Sequence, residues 1–171
     1  MWYEMRKVGL DFIKTANKTY VMESEVNLPR QIVWEVITDA STWRHWFPGT
    51  RKASYRAESM PPGVGTCREA LVGNARYEEY MVAWDEGTRW AYYIARSTVP
   101  IAWAQLESTE LADTPNGTRV RWILATDRRL MLLLFAPIFH FYLKSLWKKA
   151  MRNLENFVAD ADGAPTDART S

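Results

Sequence analysis

The polar residues able to do chemistry in this chain are few, and most sit in segments that alternate like strands. Arg68, Glu69, Glu78 and Glu79 fall within two such segments, and Tyr80 follows directly. A charged or phenolic group turned into an apolar interior has its pKa moved by burial and by nearby charge, which is one way general acids and bases are made. The same strand charges fit a solvated face equally simply. His45 lies between Trp43 and Trp46, and His140 lies near the start of a helical stretch inside an aromatic run. A histidine in such company is more often a satisfied structural group than one that orients a ligand. Should the chain be an enzyme, Arg68, Tyr80 and His140 are the candidate catalytic groups.

Other chemistries lack their residues. There is no His-Glu-x-x-His, no Cys-x-x-Cys and no spaced His/Asp cluster, so no metal site is expected. No Gly-x-Ser-x-Gly elbow occurs. Gly63-Val64-Gly65 lacks a third glycine and a following helix, and therefore reads as a turn, not a nucleotide loop. No cofactor is expected on these grounds. A net charge of +2 provides no field that would select nucleic acid. The single cysteine, Cys67, cannot pair within the chain, and the N-terminal stretch MWYEMRKVGLDFIKT has no apolar signal-peptide core. Both features lead to an expected cytoplasmic location.

Aromatic residues make up 13% of the chain. Large rings can fill a core or form stiff apolar walls around a ligand, and composition alone leaves both open. Strand alternation groups Tyr80, Val82 and Trp84 on one face, Trp90, Tyr92 and Ile94 on another, and Val120, Trp122 and Leu124 on a third. Helical spacing from Pro137 onward aligns Phe139, Leu143, Leu146, Ala150, Leu154 and Phe157. Facing rows this bulky either pack directly against the helix or leave room between sheet and helix, and the spacing leaves both open. The expected ligand-binding set is Tyr80, Val82, Trp90, Tyr92, Ile94, Val120, Trp122, Phe139, Leu143 and Leu146.

These residues need elements to position them. Lys18 to Val26 alternates as a strand. Pro29 opens a short amphipathic helix through Ile32, Val33, Val36 and Ile37, and a second short helix lies between Ser41 and the Pro48-Gly49 stop. Six further strands follow, at about 51–59, 66–72, 76–84, 89–97, 103–111 and 118–126, separated by turn residues. Asn116-Gly117 is the clearest hairpin signal, since both residues accept positive φ. A helix of about 22 residues closes the pattern. The result is one α+β domain with a curved antiparallel sheet of about seven strands against a long C-terminal helix, and two short helices after the first strand. Residues 1–17 form an N-terminal extension expected to pack on the domain, 18–159 the domain itself, and 160–171 a small polar tail expected to be disordered.

The segments LPRQIVWEVITDASTWRHWFPG (28–49), PPGVGT (61–66), YMVAWDEGTRWAYYI (80–94), NGTRVRW (116–122) and LKSLWKKAMRNLENF (143–157) together resemble the START-like, Bet v 1-like superfamily. Within it they resemble the polyketide cyclase/dehydrase and lipid transport (SRPBCC) family. The resemblance implies a helix-grip fold with a cavity between the sheet and the C-terminal helix. It implies binding, with transport as one use, of a hydrophobic small molecule or lipid. The alternative it carries is an aromatase/cyclase working in the same cavity without metal or nucleotide. Apolar walls are more evident in this sequence than converging polar groups, so a binding role is favoured over an enzymatic one.

Between Arg128 and Leu154 lie Arg128, Arg129, Lys144, Lys148, Lys149 and Arg152, with no acidic residue before Glu155. Beside the apolar run Leu130 to Phe135, this makes peripheral contact with an anionic membrane a second expected partnership. A solvated helix face is the simpler reading of the same residues. Nothing in the pattern selects an oligomeric state.

Overall fold

The sheet is antiparallel at every strand pair. The structure, a computed structural model, describes residues 1–129 and 136–162. Its strands are β1 (Tyr3–Glu4), β2 (Lys18–Val26), β3 (Thr50–Tyr55), β4 (Cys67–Val72), β5 (Ala75–Asp85), β6 (Arg89–Ser97), β7 (Ala102–Thr114) and β8 (Gly117–Arg128). Its α-helices are α1 (Phe12–Thr15), α2 (Arg30–Thr38), α3 (Trp43–Trp46) and α4 (Ala136–Asp162), with 3-10 turns at Ala40–Thr42 and Ala57–Ser59. The curved sheet runs in the order β2-β8-β7-β6-β5-β4-β3, with β1 added on β6. Because β2 and β3 occupy opposite edges, the α2–α3 segment must cross the sheet between them, and α4 packs beside it.

Local chemistry explains most boundaries. Pro29 caps α2, and Asp39 accepts from the Ser41 amide and hydroxyl, which starts the next turn. The β7–β8 hairpin departs from the Asn-Gly expectation in one respect. Pro115 occupies the first central position and Asn116 keeps a negative φ, so positive φ falls on Gly117 alone, at +151°. A Cβ there would lie 2.2 Å from the Val26 carbonyl oxygen, so a side chain is excluded by contact as well as by conformation.

The 27 residues of α4 span about 40 Å. Leu143, Trp147, Ala150, Met151, Leu154 and Val158 are buried, a broader stripe than the sequence spacing outlined because it includes Trp147. The expected stripe member Phe157 instead stacks on His45, with centroids 5.2 Å apart. The run 130–135 and the tail from 163 lie outside the described residues.

The other face of the sheet is covered by residues 1–17. β1 pairs with the end of β6, the Met5 amide donates to Ala95 and the Arg6 amide to Trp103. Phe12 is buried against Ala104, Leu106 and Ala125. The Arg129 guanidinium lies 3.9 Å from the Trp103 ring centroid and 5.6 Å from that of Tyr3, clamping the extension from outside. The sheet is therefore buried on both faces over much of its width.

Candidate functional site

The space between sheet and α4 is filled at one end and open at the other. At the filled end Trp43, Trp46, Trp90, Trp122 and Trp147 pack together, with Trp122 and Trp147 stacked at 5.5 Å. The gap left there is about 10 Å³, at the lower limit for one water. Toward the N-terminal part of α4 the smaller sheet side chains Ala70, Val72, Leu124 and Thr126 join the lining, and a cavity of about 210 Å³ opens. Phe139, Leu143 and Leu146 of α4 roof it. An apolar cavity of about 150 Å³ accepts benzene, so this one accepts a somewhat larger apolar group.

Six of the ten expected ligand-binding residues line this cavity: Tyr92, Ile94, Trp122, Phe139, Leu143 and Leu146. Trp90 and Val120 face the same side of the sheet but lie in the filled end, at 1% and 0% exposure. Tyr80 and Val82 face the opposite side. Tyr80 stacks on Tyr93 at 5.8 Å, and Val82 packs with the Phe12 cluster under the extension. The cause is a register shift between Met81 and Ala83, where β5 carries one residue more than β6. The inward set is Tyr77, Glu79 and Met81, and after the bulge Trp84, so simple alternation placed Trp84 correctly and the two residues before it on the wrong face.

Of the candidate catalytic groups, Arg68 alone lines the cavity. Tyr80 is on the outer face, and His140 stacks on Tyr20 at 6.1 Å, away from the lining. Among the strand carboxylates weighed from sequence, Glu69 is exposed, Glu78 is held on the outer face by Arg56 and Arg96, and Glu79 turns inward. Among the described residues no three His, Cys, Asp or Glu side chains gather to hold a metal ion.

β4, β5 and β7 place a polar cluster in the cavity wall. Arg68 Nε donates to Glu79 Oε2 at 2.6 Å. The guanidinium is enclosed by rings, with its carbon 4.1 Å from the Trp43 centroid, 4.6 Å from Trp90 and 4.7 Å from Tyr92. Glu107 accepts three hydrogen bonds, from Tyr92 Oη at 2.6 Å, Gln105 Nε2 at 2.8 Å and Trp122 Nε1 at 3.1 Å. Both of its oxygens therefore serve as acceptors within the wall. Burial raises the Glu79 carboxyl above the usual carboxylate range, Arg68 offsets part of the rise, and Glu107 adds to it. Burial, Glu107 and Glu79 hold the Tyr92 hydroxyl well above its ordinary value, so it stays a donor. The Tyr77 hydroxyl is pushed up to about 12 by burial, then by Glu107 and Glu79. Two carboxyls in unlike settings within one apolar cavity have the makings of an acid and a base.

Glu107 and Gln105 escape sequence reading for a physical reason. On β7 the more apolar parity is Ala104 and Leu106, which hydrophobic alternation turns toward the helix. It faces the N-terminal extension instead, leaving Gln105 and Glu107 for the cavity.

Residues 18–159 match the family model for polyketide cyclase / dehydrase and lipid transport proteins. The chain is 28% identical over 175 residues to an uncharacterized protein of Mycobacterium tuberculosis, across 98% of this chain and 95% of that one, and equally to one of Mycobacterium bovis. In structure it is similar to a START superfamily protein of Mycobacterium smegmatis, with a TM-score of 0.66 and 12% identity over 84% of this chain and 98% of that one. It is also similar to Ara h 8.0201, with a TM-score of 0.63 and 15% identity over 84% and 98%. At these identities the two structures speak to the fold alone.

Proposed function

This chain belongs to the polyketide cyclase/dehydrase and lipid transport family, and from that membership and the cavity together we propose that it binds, and carries, a hydrophobic small molecule or lipid between sheet and α4. The observation that carries this reading is the aromatic and aliphatic lining around about 210 Å³ of space. Burying about 300 Å² of apolar ligand surface at about 25 cal/mol per Å² yields roughly 7 kcal/mol before ordering costs. Micromolar affinity corresponds to about 8 kcal/mol, so binding in the micromolar range or weaker is expected. Native mass spectrometry of freshly purified protein tests it directly. A co-purified apolar molecule, displaced by added ligand with a change in tryptophan fluorescence, is the expected result. Failure of every apolar probe to bind would overturn the reading.

One observation favours a second reading, a cyclase or dehydratase in the same cavity. Glu79, whose carboxyl burial raises above the usual range, is suited to donate a proton, and Glu107, which accepts from Tyr92, Gln105 and Trp122, shares the cavity wall with it. Turnover of a poly-β-ketone surrogate that falls about 10²–10⁴-fold in Glu79→Gln would support it. No turnover in the unmodified protein would rule it out.

With the binding role we place the protein in the cytoplasm, a reading supported by the lone, buried Cys67. Among the described residues no helix is long and apolar enough to cross a membrane. Peripheral contact with an anionic bilayer, through the exposed basic face of α4, belongs to the same proposal.

A further inference from the structure

The cavity is apolar in bulk but its wall holds hydrogen-bonding atoms with nothing to bind. Arg68 Nη1 and Thr126 Oγ1 are both buried and have no hydrogen-bond partner among the described residues. Both side chains line the cavity, at 1% and 2% residue exposure. An orphaned buried donor or hydroxyl is destabilising, a cost that a ligand oxygen reaching it would relieve. Neither atom is needed by a ligand that is hydrocarbon throughout.

The charges in the wall decide what kind of oxygen fits. Arg68 is the one basic residue among the described residues lining the cavity, and it is already matched by Glu79 at 2.6 Å. Glu107, fixed by three donors, adds a second carboxylate. With Arg68 paired to Glu79, no unpaired positive charge in the wall faces an incoming anion. A carboxylate headgroup would enter a desolvated space facing like charge. A ketone or hydroxyl accepts from Arg68 Nη1 or pairs with Thr126 Oγ1 without adding charge.

From this wall we infer that the ligand is a neutral, oxygen-bearing apolar molecule, a ketone, alcohol or phenol, and that free carboxylates such as fatty acids are rejected. This rests on the binding role proposed above and narrows it to a ligand class. The test is calorimetric titration with four compounds of one ring system: naphthalene, 2-naphthol, 2-acetylnaphthalene and 2-naphthoate, at neutral pH. Naphthol and acetylnaphthalene should bind more tightly than naphthalene, and naphthoate about tenfold or more weaker than naphthol. Thr126→Val, which keeps the shape, should lower the affinity of the oxygenated compounds relative to that of naphthalene in the same variant. Glu107→Gln, which removes the charge and keeps one oxygen to accept from Tyr92 and Trp122, should narrow the gap between naphthol and naphthoate. Naphthoate binding as tightly as naphthol, with naphthalene also bound, would overturn the inference and leave the binding role standing. Binding by none of the four, naphthalene included, would overturn both.

Discussion

Arg68 and Glu79 form an ion pair 2.6 Å long whose side chains are 1% and 6% exposed, closed over by Trp43, Trp90 and Tyr92. Removing one partner from such a pair leaves an uncompensated charge in an apolar interior, at a cost of about 3–5 kcal/mol. Removing both leaves none. Arg68→Met and Glu79→Leu should each lower the stability measured by urea unfolding by about that amount, and the double variant should lose less than the sum of the two. Additive losses would mean that the pair does not act as a unit.

Glu78 and Glu79 are adjacent in sequence and respond to pH in opposite directions. The Arg96 hydrogen bond, reinforced by Arg56, holds the Glu78 carboxyl below the usual range, while burial holds that of Glu79 above it. A depressed carboxyl contributes stability that is present above its unfolded pKa and lost as pH falls through its folded pKa. A raised one contributes most below the unfolded value and loses it as pH rises through the folded pKa. The stability difference between the unmodified protein and Glu78→Gln should therefore grow from acid toward neutral pH. The corresponding difference for Glu79→Gln should shrink over the rise above the unfolded carboxylate value. Denaturant titrations at several pH values check both signs.

The order of elements was legible because its signals are local. Pro29, the Pro48-Gly49 stop, the Asn116-Gly117 turn and the helical stripe beginning at Phe139 each act within a few residues. Which way a strand side chain points is a longer-range matter. One extra residue on β5 at Val82 sends Tyr80 and Val82 to the outer face while Trp84 still faces inward, and nothing in the alternation records it. The extension covers the second face of the sheet, so apolar parity no longer marks the helix side, and Glu107 was invisible for that reason. Arg68 was legible as a candidate, but its partner was one of several adjacent carboxylates until the register chose Glu79.

The division of the helix–sheet space into a filled and an open end separates two kinds of variant. Leu146 lines the open cavity and is only partly buried, so Leu146→Trp should fill the space with little strain. Apolar ligand binding should fall about tenfold or more while the melting temperature changes little. Val120 is fully buried in the filled end, and Val120→Asp places a carboxylate among rings with no partner. That variant should lose its cooperative near-ultraviolet circular dichroism transition, a folding defect and not a binding one. Loss of binding without loss of fold in Val120→Asp would show that the ligand reaches the filled end.

On α4, the exposed side chains form one face that changes character along the helix. Ile138, Phe141 and Tyr142 stand out at 69%, 71% and 56% exposure, and Lys148, Lys149 and Arg152 continue the same face at steps of three and four residues. Tyr142 also lines the cavity, so the apolar end of this face adjoins the proposed binding site. Rings that insert among lipid headgroups, next to cations that meet anionic lipid, suit a helix lying on a bilayer. Each basic residue near such a surface contributes about 1 kcal/mol. Sedimentation should then show binding to phosphatidylserine-containing vesicles, little binding to phosphatidylcholine vesicles, and loss of binding at high salt. Lys148→Ala with Lys149→Ala should weaken it by about 2 kcal/mol, or roughly 30-fold, and Phe141→Ser should weaken it without changing the salt dependence. Equal sedimentation with both vesicle types at low salt would show that the basic face meets a protein or solvent, not a membrane.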